Sequence, residues 1–339
     1  MVKTIYWQVN PDQPEQDIIQ KAARIIKAGE LVAFPTETVY GLGADAFSSP
    51  AVEKIYQVKN RPPVNPLLVH IARFDQVSQL AAEVTASARL LMERFWPGPL
   101  SLILPAKPQV PGIVTAHRPG VGLRMPSHPV ALALINAAGP LAAPSANLSG
   151  RPSPVNAQHV KDDLDGHIAA VLDAGATGLG IESTVVDMCG PAPRLIRIGG
   201  VSRSQLESIL GQKLIMAAEE PSSIPHYRTS AQVLLAGSET MLQATAQKYL
   251  NQGKKVAVVH NNISPAHKIE GVSLFHLNLG SAGSDIYQVL REAEKQQIEV
   301  LIFAPLPEAT DGVTAAVLDR ICQAAQNDPY RTGRDAEKT

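Results

Sequence analysis

Two cations stand two residues apart in a proline-rich stretch of this chain. Lys59 and Arg61 follow a predicted helix, and Pro62, Pro63 and Pro66 stiffen the approach to the next predicted strand. A preorganised pair of cations suits a polyanion such as a triphosphate, because Arg binds it through two hydrogen bonds while Lys acts as a point charge. A solvated pair that offsets the dipole at a helix C-terminus would have the same sequence. The stretch alone is therefore consistent with a phosphate site or with an ordinary helix end.

Small hydroxyl side chains and a carboxylate follow a predicted strand near the start of the chain. The strand covers residues 31–34, and Thr36, Glu37 and Thr38 come directly after it. Polar residues at the end of a strand are typical of ligand crevices in α/β sheets. Thr is also favoured in turns, so an ordinary turn explains the segment equally well.

A third cation lies inside an apolar, strand-like run. Arg124 stands within residues 121–126, where a guanidinium must either pair with an internal carboxylate or face a bound anion. His70 ends another predicted strand, and by itself it fits a core histidine better than a ligand. Both residues are candidates whose roles depend on what the fold brings beside them.

The remaining polar candidates lie on loops. Residues 144–150 present Ser145 and Asn147, which suit either phosphate oxygens or an N-cap and turn. Residues 182–184 and Arg197 repeat the combination of small hydroxyls with an isolated cation. The sequence indicates no Ser/His/Asp or Cys/His set, so we expect electrostatic and proximity catalysis on phosphates and carboxylates.

Composition limits the class of protein. The chain has 339 residues, a formal net charge of −1 and a pI near 6.8, so no overall charge favours nucleic acid or an anionic membrane. Cys189 and Cys322 are too few for a disulfide scaffold or a cysteine-built zinc site. The N-terminus lacks the apolar run of a signal peptide, and no stretch reaches the ~18 apolar residues that span a bilayer. These features predict a cytoplasmic protein without membrane contact.

The elements that must position these residues divide into two predicted domains. Most of the 27 prolines precede residue 200, and residues 219–225 show no apolar periodicity. We therefore predict a large domain at 1–205, a linker at 206–229 and a small domain at 230–339 that ends in a frayed tail. In the small domain apolar strands alternate with helices, which predicts a parallel α/β sheet. The large domain also mixes strands with helices, but less regularly.

Six segments of the large domain carry a family resemblance when they are taken together. They are residues 35–42, 59–67, 95–99, 124–126, 144–150 and 182–187. In this order they resemble the YrdC-like threonylcarbamoyl-AMP synthase family, in its long form with an added C-terminal domain. The resemblance implies an α/β fold in which a large, twisted YrdC-like domain precedes a smaller, Rossmann-like parallel α/β domain.

The resemblance also implies a reaction. Family members are nucleotidyltransferases that make threonylcarbamoyl-AMP and pyrophosphate from L-threonine, bicarbonate or CO₂, and ATP. The product serves the threonylcarbamoyladenosine modification of tRNA, so downstream tRNA-modifying proteins are expected partners, and contact with tRNA itself is left open. Mg²⁺ is expected to arrive with ATP, and no residue is assigned as its ligand.

Roles for individual residues follow from the same resemblance. Threonine would be held by Thr36, His70, Arg124 and Ser183, with Arg124 on its carboxylate. ATP would be bound by Lys59, Arg61, Ser145, Asn147, Ser153, Arg197 and Tyr227. Lys59, Arg61 and Arg124 would stabilise the transition state, and none is needed as acid, base or nucleophile because the threonine carbamate itself attacks.

Two departures and two alternatives qualify this interpretation. The linker that covers the site in the family is altered here: residues 222–231 keep Tyr227 and Arg228 of its usual pattern, but most of the flanking positions differ, and Ile198–Gly199 replaces a usual Pro-Gly. The sequence therefore does not decide whether this linker closes over the site. The alternative functions are carbamoyl-adenylate transfer as in hydrogenase maturation, and a non-catalytic RNA-binding or ribosome-associated module.

Overall fold

The computed structural model describes residues 3–217, 227–261, 269–279, 285–306 and 311–325. The chain divides into two compact units. The first unit comprises Met1–Ser149 and Ser153–Pro221, and the second comprises Gly150–Pro152 and Ser222–Thr339.

The first unit contains a large mixed sheet covered by helices. A 3₁₀ turn at Phe74–Gln76 accompanies its regular elements. In chain order these are β1 Ile5–Gln8, α1 Gln16–Lys27, β2 Val32–Phe34, β3 Gly41–Asp45, α2 Ser49–Lys59, β4 Leu68–His70, α3 Val77–Leu80, α4 Ala86–Phe95, β5 Leu100–Pro105, α5 Gly112–Thr115, β6 Gly120–Arg124, α6 Pro129–Ala138, β7 Leu141–Ala142, α7 Ala157–Leu164, β8 Ala170–Asp173, β9 Thr184–Asp187, β10 Arg194–Arg197, α8 Arg203–Leu210 and β11 Ile215–Met216.

The sheet of the first unit runs in the order β1-β8-β2-β3-β7-β4-β6-β5-β9-β10-β11 across the described residues. Its inner strands are buried on both faces, which β2 illustrates, whereas the edge strands β1 and β11 are largely exposed. Val32 and Phe34 pack into one core cluster, while Ala33 packs into the other. Alternation of this kind follows from the two-residue period of a strand, and it explains why the strand reads as a continuous apolar run.

Local signals fix the helices that border the site. Helix α2 begins after Ser48, whose hydroxyl accepts a hydrogen bond from the N–H of Ala51. It ends at Lys59 because Asn60 adopts a left-handed conformation, with φ of 50°. Helix α1 buries Ile19, Ala22, Ala23 and Ile26, which share one face at helical spacing. The turn at Asn60 therefore separates Lys59, the last residue of α2, from Arg61, which begins the following loop.

The second unit contains a parallel sheet. Its elements are β12 Gln232–Leu235, α9 Glu239–Asn251, β13 Val256–His260, β14 Ser273–His276, α10 Ile286–Lys295, β15 Val300–Phe303 and α11 Gly312–Ala324. The strands run in the order β12-β15-β13-β14, and every described pairing is parallel. The predicted α/β class is therefore confirmed for both units, with a parallel sheet in the second.

The predicted linker at 206–229 begins too early. Helix α8 continues to Leu210, and β11 pairs in parallel with β10, so residues 206–216 belong to the first unit's sheet and its helices. A capping box at Ser202 and Gln205 starts α8, a signal that the sequence interpretation missed. Residues 218–226 of the predicted lid and residues 327–339 of the predicted tail lie outside the described residues.

Candidate active site

Strand pairing brings the histidine and arginine candidates together. β4 and β6 run in parallel, and their register places His70 directly beside Arg124. β5 pairs with β6 on the other side, and it begins just after Gly98, whose carbonyl accepts a hydrogen bond from Nε of Arg124 at 3.3 Å. Residues that lie far apart in the sequence therefore meet at the end of β6.

Arg124 is buried and held by three kinds of acceptor. Its side chain is 4% exposed, and Nη1 donates to the hydroxyl of Thr38 at 2.9 Å. Nη2 lies 2.7 Å from Oε1 of Glu37. The internal ion pair, which the sequence left open as an alternative to anion binding, is therefore present. Thr36 supports this arrangement, because its hydroxyl lies 2.8 Å from that of Thr38 and 2.7 Å from the carbonyl of Val39.

His70 is a neutral, buried imidazole. Its ring meets Phe34 edge-on, with ring centroids 6.2 Å apart. Burial and the nearby charge of Arg124 hold the pKa of His70 well below its usual range. Nδ1 is buried without a hydrogen-bond partner in the described structure. A neutral ring beside a guanidinium adds polarity without adding a second positive charge.

Residues 98–101 join Arg124 to the serine candidate. The N–H of Thr184 donates to the carbonyl of Pro99 at 2.9 Å, and the hydroxyl of Ser101 lies 2.8 Å from that of Ser183. Arg197 contacts Ser183 in turn, with Nε donating to its carbonyl at 3.1 Å and Nη2 to its hydroxyl at 3.2 Å. Ser183 is thus positioned from one side by β5 and from the other by Arg197.

Arg61 and Arg197 repel one another electrostatically. Arg61 donates from Nε to the carbonyl of Asn65 at 3.2 Å and from Nη2 to that of Pro66 at 3.0 Å. Burial lowers the pKa of Arg61, contact with Tyr56 raises it, and the positive charge of Arg197 lowers it. An anion bound beside the two arginines would relieve the repulsion between them.

Lys59 is buried against the loop of Ser145 and Asn147, whereas Arg61 contacts the carbonyls of Asn65 and Pro66. The residue is 1% exposed, and its ammonium donates to the carbonyls of Ser145, at 2.5 Å, and Asn147. The N–H of Ser149 donates back to the carbonyl of Lys59 at 2.8 Å. The end of helix α2 therefore holds loop 145–149 in place, and these contacts of Lys59 fix the shape of that loop.

The segment around Ser183 is packed closely from both directions. Ser153 donates its hydroxyl to Oε1 of Glu182 at 2.7 Å, and both residues are buried. A Cβ at residue 199 would lie 2.3 Å from the carbonyl oxygen of Glu182, so only Gly199 allows the chain to pass there. The requirement explains why glycine follows Ile198 although the preceding proline of the family pattern is absent.

The structure thus brings most of the predicted residues into one connected set. Contacts run from Arg124 through residues 98–101 to Ser183 and Arg197, and the charge of Arg197 reaches Arg61. Tyr227 belongs to the second unit, where its ring stacks on Tyr287 at 5.2 Å. The assignment of Tyr227 to ATP stays a prediction.

Several residues of the site escaped the sequence interpretation. Thr38 and Glu37 were noticed in their segment but received no role, and Gly98 and Ser101 were not singled out as site residues. Their contacts come from strand pairing between distant segments, so no local pattern marks them. The alternation of Ser101 between apolar neighbours, Leu100 and Leu102, was the one available signal.

The described part of the chain offers neither a cluster of metal ligands nor a membrane-spanning helix. No group of three or more His, Cys, Asp or Glu is arranged there to hold a metal ion. No helix in that part of the chain is long and apolar enough to cross a membrane.

Comparison with known families decides the family. A Sua5/YciO/YrdC family model, described as "Telomere recombination", matches residues 24–199. A second model, described as "Threonylcarbamoyl-AMP synthase, C-terminal domain", matches residues 201–326. The chain belongs to the threonylcarbamoyl-AMP synthase family. It has the two-domain form of that family, as the sequence resemblance implied.

Individual members of the threonylcarbamoyl-AMP synthase family are similar over nearly the whole chain. The Bacillus subtilis threonylcarbamoyl-AMP synthase is 41% identical over 91% of this chain and 92% of its own length. The Pyrococcus abyssi synthase is 37% identical over 91% of this chain and 94% of its own. The structure of P. abyssi Sua5 complexed with L-threonine matches with a TM-score of 0.88 and 36% identity, over 95% of this chain and 98% of that one.

A shorter structure shares only part of the architecture. Escherichia coli YciO matches with a TM-score of 0.53 and 27% identity, and it covers 58% of this chain but 96% of its own. The fold that this chain shares with the shorter structure covers little more than half of its length, and the chain also has the C-terminal domain.

Proposed function

We propose that this chain is an L-threonylcarbamoyladenylate synthase, and that it acts as a nucleotidyltransferase on L-threonine, bicarbonate or CO₂, and ATP. The names of its relatives support catalysis over a non-catalytic RNA-binding module and over the carbamoyl transfer of hydrogenase maturation. A structure of P. abyssi Sua5, 36% identical to this chain, is described as complexed with L-threonine.

The reaction needs no covalent enzyme intermediate. The threonine amine adds to CO₂ and loses a proton, which gives a carbamate. A carbamate oxygen then attacks the α-phosphorus of ATP, and the bond between that phosphorus and the oxygen bridging to the β-phosphate breaks, so pyrophosphate leaves. Every reactant except CO₂ carries negative charge when the bond forms, so the protein must supply cations and exclude water.

Arg124 is the residue that we assign to the threonine carboxylate. It is buried, and its guanidinium is fixed by Gly98, Thr38 and Glu37. Thr36, His70 and Ser183 would surround the rest of the amino acid. The neutral state of His70 suits this role, since an imidazolium there would repel Arg124 and the ammonium of incoming threonine.

Arg61 and Arg197 are the residues that we assign to the phosphates. The observation that carries the proposal is the series of contacts that joins Arg197, through Ser183 and Ser101, to the segment that holds Arg124. Phosphates and an amino acid carboxylate could then lie side by side. Lys59 would hold the loop of Ser145 and Asn147 against the nucleotide.

Three further assignments belong to the same proposal. Ser153 would contribute to the nucleotide site beside Glu182, and the role of Tyr227 in binding ATP is taken from the family resemblance alone. Mg²⁺ would be carried by the phosphates of ATP, where it neutralises charge on the leaving pyrophosphate. The adenylate would pass to tRNA-modifying proteins in the cytoplasm.

An omission experiment tests the proposal. Pyrophosphate release should require ATP, L-threonine and bicarbonate together, and it should cease when any one is left out. ATP labelled at the α-phosphate should transfer its label to the threonine-containing product, whereas label at the γ-phosphate should appear in pyrophosphate. Release of ADP and phosphate, or release without threonine, would exclude the proposed reaction.

A further inference from the structure

Glu37 forms the ion pair with Arg124, yet the family resemblance gives it no role toward the substrate. Its side chain is 15% exposed, and Oε1 lies 2.7 Å from Nη2 of the arginine. The Nη2 and Oε1 atoms are both buried, and neither has a hydrogen-bond partner elsewhere in the described structure. Their direct charge contact in a dry environment therefore holds the two side chains together.

Contacts on its other sides fix Glu37. Oε2 accepts a hydrogen bond from the N–H of Ser127 at 3.1 Å, three residues beyond Arg124. The backbone carbonyl of Glu37 accepts from the N–H of Leu179 at 2.7 Å. Because the carboxylate and the backbone are both anchored, Glu37 is a rigid support that holds the guanidinium from one side.

The three supports of Arg124 have distinct effects. The carbonyl of Gly98 and the hydroxyl of Thr38 are neutral, so they orient the guanidinium without changing the net charge. Glu37 also cancels that charge. A buried cation and anion in contact form a neutral but strongly polar pair, which is complementary to a zwitterion such as a free amino acid.

We propose that Glu37 is a positioning residue for substrate threonine. It fixes the plane of the Arg124 guanidinium, and it balances the charge so that the amino-acid end of the site accepts a zwitterion in preference to a simple anion. The inference rests on the proposed function, since it takes Arg124 as the residue that binds the threonine carboxylate.

The test compares Glu37→Gln with the wild-type protein in the pyrophosphate assay. Glutamine keeps the size and the acceptor for Ser127 but removes the charge. We expect the KM for threonine to rise about tenfold to a hundredfold, the range for loss of a charge-assisted contact, while the KM for ATP stays within about twofold. Glu30→Gln is the matched control, because it removes a carboxylate from an exposed ion pair with Lys54.

A second measurement separates positioning from folding. The anion 3-hydroxybutyrate resembles threonine but lacks the amine, so it should inhibit the Glu37→Gln variant more strongly than the wild type. Thr38→Val removes a neutral support and should raise the KM for threonine several-fold without improving inhibition by this anion. If Glu37→Gln melts at the assay temperature, Thr38→Val and Glu37→Asp still report the threonine KM.

The outcomes distinguish this inference from the proposed function. If the wild-type protein releases no threonine-dependent pyrophosphate, the proposed function fails and the inference fails with it. If the wild type is active and Glu37→Gln keeps the wild-type KM for threonine and the same inhibition by 3-hydroxybutyrate, the inference alone is wrong. A threonine KM that falls in Glu37→Gln would also overturn it, because Glu37 would then compete with the substrate.

Discussion

Arg124 lies in one electrostatic environment of the first unit, and Arg61 and Arg197 lie in another. At one, which we call the amino-acid corner (Thr36, Glu37, Thr38, His70 and Arg124), a carboxylate contacts the guanidinium. At the other, which we call the phosphate corner (Lys59, Arg61, Ser145, Asn147 and Arg197), Arg61 contacts backbone carbonyls and lies within reach of the charge on Arg197. Arginine is common to both corners, and its neighbours differ.

In the proposed function, this difference in charge balance would separate the two ligands. A guanidinium already paired with a carboxylate offers directional N–H groups but little net attraction, which suits a zwitterion. Cations that repel each other are stabilised by any added anion, which suits a polyphosphate. Ser183 lies between the corners, because it contacts both Arg197 and Ser101.

Arg124→Ala should give the largest effect and should abolish the function of the amino-acid corner alone. Truncating one partner of a buried charge pair in a complex costs about 2–5 kcal/mol of binding free energy. If that complex is Arg124 with the threonine carboxylate, the cost corresponds to a loss of roughly thirtyfold to several thousandfold in kcat/KM for threonine. ATP binding, measured by titration calorimetry, should persist. Normal threonine kinetics in this variant would mean that the carboxylate is bound elsewhere.

Lys59→Met should impair the phosphate corner and also lower stability. The change removes the ammonium that donates to the carbonyls of Ser145 and Asn147. Each buried acceptor left unsatisfied lowers the free energy of unfolding by about 1–3 kcal/mol. We expect kcat/KM for ATP to fall about 30-fold, with a lower midpoint of thermal unfolding. Lys54→Met on the same helix is the control, since Lys54 pairs with exposed Glu30. Equal effects of both variants would contradict a specific role for Lys59.

Arg61→Gln should separate ATP binding from stability. We expect the KM for ATP to rise about tenfold, the size of one charge-assisted phosphate contact. The unfolding midpoint should fall only slightly, because the lost hydrogen bonds to the carbonyls of Asn65 and Pro66 are only partly buried or exposed. Arg73→Gln, which alters an exposed ion pair with Asp75, provides the comparison. If the KM for threonine rose instead of the KM for ATP, Arg61 would serve the amino-acid corner and the assignment would be wrong.

Ser101→Ala should give the smallest effect and should test the link between the corners. The change removes a neutral hydrogen bond to Ser183, which contributes about 0.5–1.5 kcal/mol. The KM for threonine should therefore rise about twofold to tenfold, with little change for ATP. An equal rise for both substrates would show that Ser183 serves the two corners alike.

Sequence patterns predicted the helices and strands better than they predicted the contacts between side chains. The apolar run at residues 31–34 was sufficient to predict β2, because a strand buried on both faces is apolar throughout. The parallel sheet of the second unit was predicted from the alternation of apolar strands with helices. The end of the first unit was placed too early, because α8 and β11 are short and carry weak periodicity.

Motif order predicted which segments form the site, but not how they support one another. Lys59 was expected to face phosphate, and the structure shows its ammonium on the carbonyls of loop 145–147. For Arg124 the sequence left an internal ion pair and a bound anion as alternatives. The pair with Glu37 exists, and in the proposed mechanism it serves anion binding too.

By itself the sequence determined the α/β class, the two-part division and the segments that carry polar residues, because periodicity, turn residues and motif order are local properties of the chain. The tertiary structure alone decided which charges are balanced. His70 meets Arg124 through strand register, Glu37 reaches it from the turn after β2, and Arg197 approaches Arg61 from a distant strand. Electrostatic energy depends on distance and burial in space, so sequence separation could not supply it.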